Sequence, residues 1–358
     1  MPGLYELSRA ELADLLAREP SYRVDQVWEG LYERADDPSE MTALPASLRA
    51  ELAGTQRALQ EVTRREADRG ETLKWLFELP DGPRIETVLM RYRSRVTICV
   101  STQAGCAMGC TFCATGQMGF ERHLSVGEIL EQVAVARRAA RPARVSNIVF
   151  MGMGEPLANY DRVIESARRV NEEMGISARH LTISTVGIVP GIKRLASEGI
   201  PLCLAVSLHA ANDELRDSIV PMNRTYPLGV LTEACEHYVS LTGRRLSFEW
   251  ALIDGVNDTQ KDAFELSRIA TPLRAHVNLI PLNPTPGYPV LGTPPEKVEE
   301  FQTALQALGV NVTVRSTRGS DIDAACGQLS GVAAATGAPA RAVRLKPARR
   351  SPSRGKTA

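Results

Sequence analysis

Val96-Thr-Ile-Cys-Val-Ser-Thr-Gln-Ala-Gly-Cys-Ala-Met-Gly-Cys-Thr-Phe-Cys113 joins an apolar, β-branched run to three thiols at C-x₃-C-x₂-C spacing, Cys106, Cys110 and Cys113. Residues 96–101 read as a strand, and the thiols fall in the loop that leaves it. With 7 cysteines in 358 residues, coincidence explains that spacing poorly. Zinc prefers four protein ligands, often in C-x₂-C pairs, and no fourth N or S ligand is evident nearby. Disulfide pairing leaves one thiol over, in a chain with no sign of secretion. Three thiolates on a [4Fe–4S] cluster instead leave one iron open to a small molecule. That reading is the strongest; zinc and inert packing cysteines are the rivals.

Working outward, strand and helix alternate after residue 95. Helices are expected at 125–140, behind a Ser125-x-x-Glu128 capping box, and at 161–174, stopped by Gly175. Strands are expected at 147–151, 181–184, 202–208, 246–252, 276–280 and 312–316. Such alternation means parallel strands with crossover helices. Six or seven units fall short of eight, which favours an incomplete (βα) barrel over an open doubly wound sheet. A barrel places its chemistry on loops after the strands. The unusual residues do fall there: Gly152-Met-Gly154-Glu155-Pro, Ser184, Ser207-Leu208-His209, Asn283-Pro and Asp321-Ile-Asp-Ala-Ala-Cys326-Gly-Gln-Leu.

Upstream, residues 4–69 read as helices, with Ser8-x-x-Glu11 capping a Leu12/Leu15/Leu16 stripe and Val24, Val27, Trp28 and Leu31 at helical spacing. Their plainest role is a small helical core. Residues 74–90 hold two β-rich runs around Pro80-Asp-Gly82, which argues for a hairpin. Glu86 lies in its second strand, where a lone Glu ordinarily faces solvent. Arg84, Arg91, Arg93 and Arg95 crowd the same stretch, either as a solvated face or as phosphate contacts. The expected organisation is therefore 1–70 helical, 71–94 a hairpin linker, 95–334 the barrel, and 335–358 a basic disordered tail.

Composition narrows the class. Lys+Arg and Asp+Glu are both 42, so there is no overall signature of a nucleic-acid binder. Residues 1–70 carry 9 basic and 14 acidic side chains, a net of −5. Residues 338–358 carry seven basic ones and no acid. No apolar run approaches a membrane span and no signal pattern opens the chain, so a cytoplasmic protein with reduced thiols is expected. Cys203 and Cys235 read as buried small apolar residues. Cys99 and Cys326 differ: both lie toward the presumed site face, where packing gives no reason for a thiol, and suggest covalent chemistry.

The cysteine motif, with Phe112 as its aromatic, resembles the radical S-adenosylmethionine (SAM) superfamily. Glu86-Thr-Val, Cys99-Val-Ser, Gly-Met-Gly-Glu155-Pro, Ser207-Leu-His-Ala, Asn278-Leu-Ile-Pro-x-Asn283-Pro and Asp321-Ile-Asp-Ala-Ala-Cys326-Gly-Gln-Leu extend the resemblance to the RlmN/Cfr family of RNA adenine methyltransferases, over roughly residues 20–335. The resemblance implies an α/β fold, an incomplete (βα)6-type radical SAM barrel with a small N-terminal helical domain that docks RNA. It implies a [4Fe–4S] cluster on Cys106, Cys110 and Cys113, and SAM held by Gly154, Glu155, Ser184, Ser207, Leu208, His209 and Asn283. It further implies methylation of adenosine C2 in 23S rRNA and in tRNA beside the anticodon. One SAM would methylate Cys326, and a 5′-deoxyadenosyl radical from a second would activate that methyl group. Glu86 would then act as base, and Cys99 would resolve the adduct as a Cys99–Cys326 disulfide. A flavodoxin- or ferredoxin-type electron donor and a thiol reductant complete the expected partners, for an enzyme acting as a monomer. Two rival readings remain: a radical SAM activase of proteins, which would not need Glu86, Cys99 and Cys326, and an RNA-binding iron–sulfur sensor or electron-transfer protein, which predicts a fourth cluster ligand and no SAM cleavage.

Overall fold

A computed structural model describes residues 3–331 other than 286, 289, 316, 317 and 326, and of residue 320 only the backbone. Cys326 and the basic tail at 335–358 thus lie outside the described residues. The chain opens with helices α1 (Arg9–Leu15), α2 (Tyr22–Tyr32) and α3 (Ala46–Ala53). The Ser8/Glu11 capping box forms as expected. Leu12, Val27, Trp28 and Leu31 turn inward, and they join one hydrophobic cluster with the rest of the protein. Trp28 Nε1 donates to Glu173 and Arg137 donates to the Tyr32 carbonyl, which fastens these helices to the barrel's outer layer.

The helical expectation for 4–69 fails at β1 (Gln60–Ala67), which pairs antiparallel with β2 (Thr72–Glu78). Its charged, helix-tolerant composition hides an edge strand, whose mostly exposed charged residues guard an open edge. The hairpin forms: β3 (Arg84–Arg91) pairs with β2, Leu76 opposite Glu86. It is continuous with the main sheet, because β3 also pairs with β4 (Val96–Cys99).

From β4 the chain winds as the alternation requires. After β4 come β5 (Gln103–Gly105), α4 (Ala114–Met118), β6 (Phe120–His123) and α5 (Val126–Ala140). Then follow β7 (Asn147–Phe150), α6 (Tyr160–Glu172), β8 (Leu181–Thr185), α7 (Val189–Ala196) and β9 (Cys203–Ser207). Two helices, α8 (Asp213–Ile219) and α9 (Leu228–Thr242), lead to β10 (Ser247–Leu252). The last units are α10 (Gln260–Ala270), β11 (His276–Pro281), α11 (Pro295–Ala307) and β12 (Asn311–Val314). The ten-stranded sheet runs β1-β2-β3-β4-β7-β8-β9-β10-β11-β12. Strands β4 and β7 to β12 are parallel and neighbour one another in chain order. That is barrel winding; a doubly wound sheet would reverse its strand order at a switch point. Among the described residues β12 pairs only with β11, so the barrel stays open at its side. No described helix is long and apolar enough to cross a membrane.

Candidate active site

Two glycines fix the loops that leave the first strands. Gly105 has φ +69°, and a Cβ there would lie 2.0 Å from the Gly119 carbonyl oxygen. Gly154 has φ +99°, and its Cβ would lie 2.5 Å from Gln103 Cβ. Both combine left-handed backbone with a close approach, which leaves room only for glycine. The Glu155 N–H donates to Gln103 Oε1 at 2.8 Å, so the cysteine loop and the Gly-Met-Gly-Glu loop are pinned to each other.

Between these loops lies a cavity. Cys106, Cys110 and Cys113 line it, as do Gly154, Glu155, Ser184, Ser207, His209 and Asn283. Of the expected SAM ligands, Leu208 alone is not in the wall: its side chain packs in the core, and its carbonyl accepts from Arg216 Nε at 3.0 Å. Ser184 donates its hydroxyl to the Phe150 carbonyl at 2.6 Å. Glu155 is buried and accepts from the Leu157 and Val186 N–H groups at 3.0 and 2.9 Å. Burial pushes its pKa up to about 7, against those donors. His209 accepts from the Ala251 N–H through Nδ1 at 2.9 Å, which leaves the proton on Nε2. Burial, with Arg216 nearby, lowers its pKa to about 3, so the ring is a neutral donor.

The three thiols suit a cluster better than a lone ion. Burial raises Cys106 to about 12 and raises Cys110 further, and Cys113 adds to both. Thiolates crowded in this way need a compensating positive charge, which iron supplies. Among the described residues no three His, Cys, Asp or Glu side chains are placed to share one metal ion. Three cysteines line the cavity, the number that would hold a [4Fe–4S] cluster with one iron left open, whereas structural zinc takes four protein ligands. SAM fits the cavity as well. Glu249, which sequence reasoning missed, lines it with a buried Oε2 lacking a partner among the described residues. Such an acceptor suits a ligand rich in O–H and N–H donors.

A second, smaller cavity shares Met151, Ile280, Asn283, Arg315 and Leu329 with the first. Cys99 lines it, opposite Ala324 and Ala325, which precede Cys326 in the chain. Glu86 is not solvent-facing as its isolation in a strand implied; it is 1% exposed. Lys74 Nζ donates to its Oε1 at 3.0 Å and to the Asp323 carbonyl at 3.1 Å, while the Ser330 N–H donates to Oε2 at 3.1 Å. Burial raises the Glu86 pKa, opposed chiefly by Lys74. Glu86 therefore meets one flank of the segment that carries Cys326 directly, at Ser330, and the other through Lys74, at Asp323. Lys74 was missed, although hairpin register gives it away: with Leu76 opposite Glu86, Lys74 lies one pair further on the same face. Of the two supposedly buried thiols, Cys235 is buried, but Cys203 is half-buried, donating to the Arg179 carbonyl and accepting from Arg244.

Comparison with known proteins agrees with this geometry. The radical SAM superfamily model matches residues 100–266. A crystal structure of a radical SAM methyltransferase from Sphaerobacter thermophilus superposes with TM-score 0.88 at 49% identity, covering 93% of this chain and all of that one. Fold and site thus define a radical SAM enzyme. A probable dual-specificity RNA methyltransferase RlmN from Parafrankia sp. is 50% identical over 332 residues, 87% of this chain and 86% of that protein. Its counterpart in Chloroflexus aurantiacus is 47% identical over 350 residues, 92% of each chain. The chain belongs to the RlmN family of radical SAM methyltransferases.

Proposed function

We propose that the protein methylates C2 of adenosine in 23S rRNA and in tRNA beside the anticodon, through a covalent adduct on Cys326. One observation carries this reading. A buried carboxylate, Glu86, and a thiol, Cys99, both lie against the segment bearing Cys326, next to a cavity lined by three cysteines. Neither a radical activase nor a sensor has use for that pairing.

Cys106, Cys110 and Cys113 would hold a [4Fe–4S] cluster. Glu155, Ser184, Ser207, His209, Asn283 and the orphan oxygen of Glu249 would hold SAM, with the backbone of Gly154, while Leu208 lies outside the wall with its N–H and carbonyl taken by Glu249 and Arg216. When bound, these groups supply a methyl group and a carbon-centred radical. The chain's own residues do the rest. Cys326 carries the methyl carbon to the base as a thioether. Glu86 takes the C2 proton, a task its raised pKa suits, since a stronger base accepts a proton more readily near neutral pH. Lys74 keeps it ionised between turnovers. Cys99 then attacks the Cys326 sulfur. The adduct's unpaired electron would first return to the cluster; the S–C bond then breaks, its electron pair stays with the carbon now bonded to C2, which gains a proton to become the methyl group, and a disulfide remains. A thiol reductant must return two electrons to that disulfide, and a flavodoxin- or ferredoxin-type donor must supply the radical step. Such reduced thiols belong in the cytoplasm.

The test is nucleoside mass spectrometry of tRNA and 23S rRNA fragments after reaction with the anaerobic, iron-loaded enzyme. The expected product is 2-methyladenosine. Formation of 8-methyladenosine, or of no methylated adenosine, overturns the reading.

A further inference from the structure

The four arginines from Arg84 to Arg95 divide into two pairs. Arg84 is taken by Glu78 at 2.9 Å, and Arg91 donates to the carbonyls of Gly70 and Ala139 at 3.0 and 2.7 Å. Those two are committed to the fold. Arg93 and Arg95 are exposed in the turn between β3 and β4, closed where the Tyr92 N–H donates to the Arg95 carbonyl at 2.8 Å. Among the described residues neither meets a carboxylate.

Tyr92 gathers charge at this turn. The Arg95 guanidinium carbon lies 4.5 Å from its ring centroid, and that of Arg318 lies 4.6 Å from the same ring. Two cations thus share one aromatic ring, and among the described residues only Glu71, paired with Arg318, offsets them. Stacking fixes the guanidinium planes while leaving their N–H donors for a ligand. Tyr92 and Arg318 also line the small cavity that holds Cys99. Register sets Cys99 opposite Val88 and Val96 opposite Arg91, so the turn begins about 10 Å along the strand from Cys99.

We propose that Arg95 and Arg318, ordered on Tyr92, form with the exposed Arg93 a rim that grips RNA phosphates beside the target adenosine. This rests on the RNA reading above. A base that enters the Cys99 cavity leaves its backbone outside, at this turn. The polyanion supplies the counter-charge that the rim lacks, and arginine forks favour phosphate oxygens. With zero net charge over the chain and −5 over residues 1–70, attraction to RNA comes from local basic clusters, of which this turn is the one beside the Cys99 cavity and residues 338–358 are another.

The experiment measures binding of a fluorescein-labelled tRNA anticodon stem–loop to the iron-loaded enzyme by anisotropy, across a salt series. The variant Arg93→Ala/Arg95→Ala is compared with Arg245→Ala/Arg268→Ala, which removes two exposed arginines elsewhere. The rim variant is expected to bind roughly tenfold more weakly, with a salt slope lower by about 1 per arginine, while the comparison variant matches wild type. Tyr92→Ala is expected to weaken binding with little change in slope, because the charges remain. SAM affinity stays unchanged throughout. Wild-type affinity and slope in the rim variant overturn the rim alone. Failure of the wild type to bind the stem–loop overturns the RNA reading and the rim together.

Discussion

The parallel strands and the antiparallel extension do different work in one sheet. The parallel strands β4 and β7 to β12, by their C-terminal ends or the loops after them, line the cavity of the three cysteines, as barrel winding dictates. The extension β1 to β3 sets Glu86 and Lys74 against Asp323 and Ser330, on either side of Cys326 in the chain, and brings the Tyr92 turn to the neighbouring Cys99 cavity. The first region is a general device for holding a cluster and SAM. On the proposed reading the second gives that device its base and a surface for one class of substrate, and Cys99, at the end of β4 where the two regions join, is the resolving thiol. The two regions should therefore fail separately.

The largest contrast compares Cys106→Ala with Cys326→Ala. Both are expected to abolish methylation, but only Cys106→Ala loses iron, measured as bound metal per protein. Equal iron loss in the two would erase the distinction between the regions. Next, Cys99→Ala is expected to accumulate a covalent RNA–protein adduct, visible as a shifted band in a denaturing gel. Normal turnover in that variant removes Cys99 from the mechanism.

Lys74→Met tests the extension more finely. Lys74 holds the Glu86 pKa down against burial, so its loss raises that pKa further. The base then ionises only at higher pH. The acid limb of the methylation profile is expected to move upward, with activity at neutral pH falling roughly a hundredfold. An unmoved limb contradicts the base assignment. On the parallel side, Arg216 is fully buried and donates to the carbonyls of Val186, Ser207 and Leu208 and to Asn223 Oδ1. Arg216→Met leaves these acceptors unpaired and is expected to cost about 3 kcal/mol in thermal or denaturant unfolding, with weakened SAM binding. The smallest effect is expected from Ser125→Ala, which removes the α5 cap. It should cost about 1 kcal/mol and leave catalysis intact.

The two regions also differ in how plainly the sequence declared them. The parallel strands announced themselves through β-branched runs separated by helices, and the cysteine spacing located the site. Glu86 had no such signal. Its burial depends on Lys74 across the hairpin and on Ser330, far along the chain, and pairings of that range leave no local period. Strand β1 was misread for a related reason. An edge strand needs only one partner, so its outward positions are free to carry charges that read as helix. Arg216 and Glu249 escaped notice because a buried charge looks like any surface charge until its partners are known.

The most direct test of the central claim is peptide mass spectrometry of the protein expressed with iron and purified without oxygen. Cys326 of the wild-type protein is predicted to carry one added methyl group. An unmodified Cys326, in protein with a full cluster and SAM supplied, would contradict the account. The arrangement of Glu86 and Cys99 around its segment would then need another explanation.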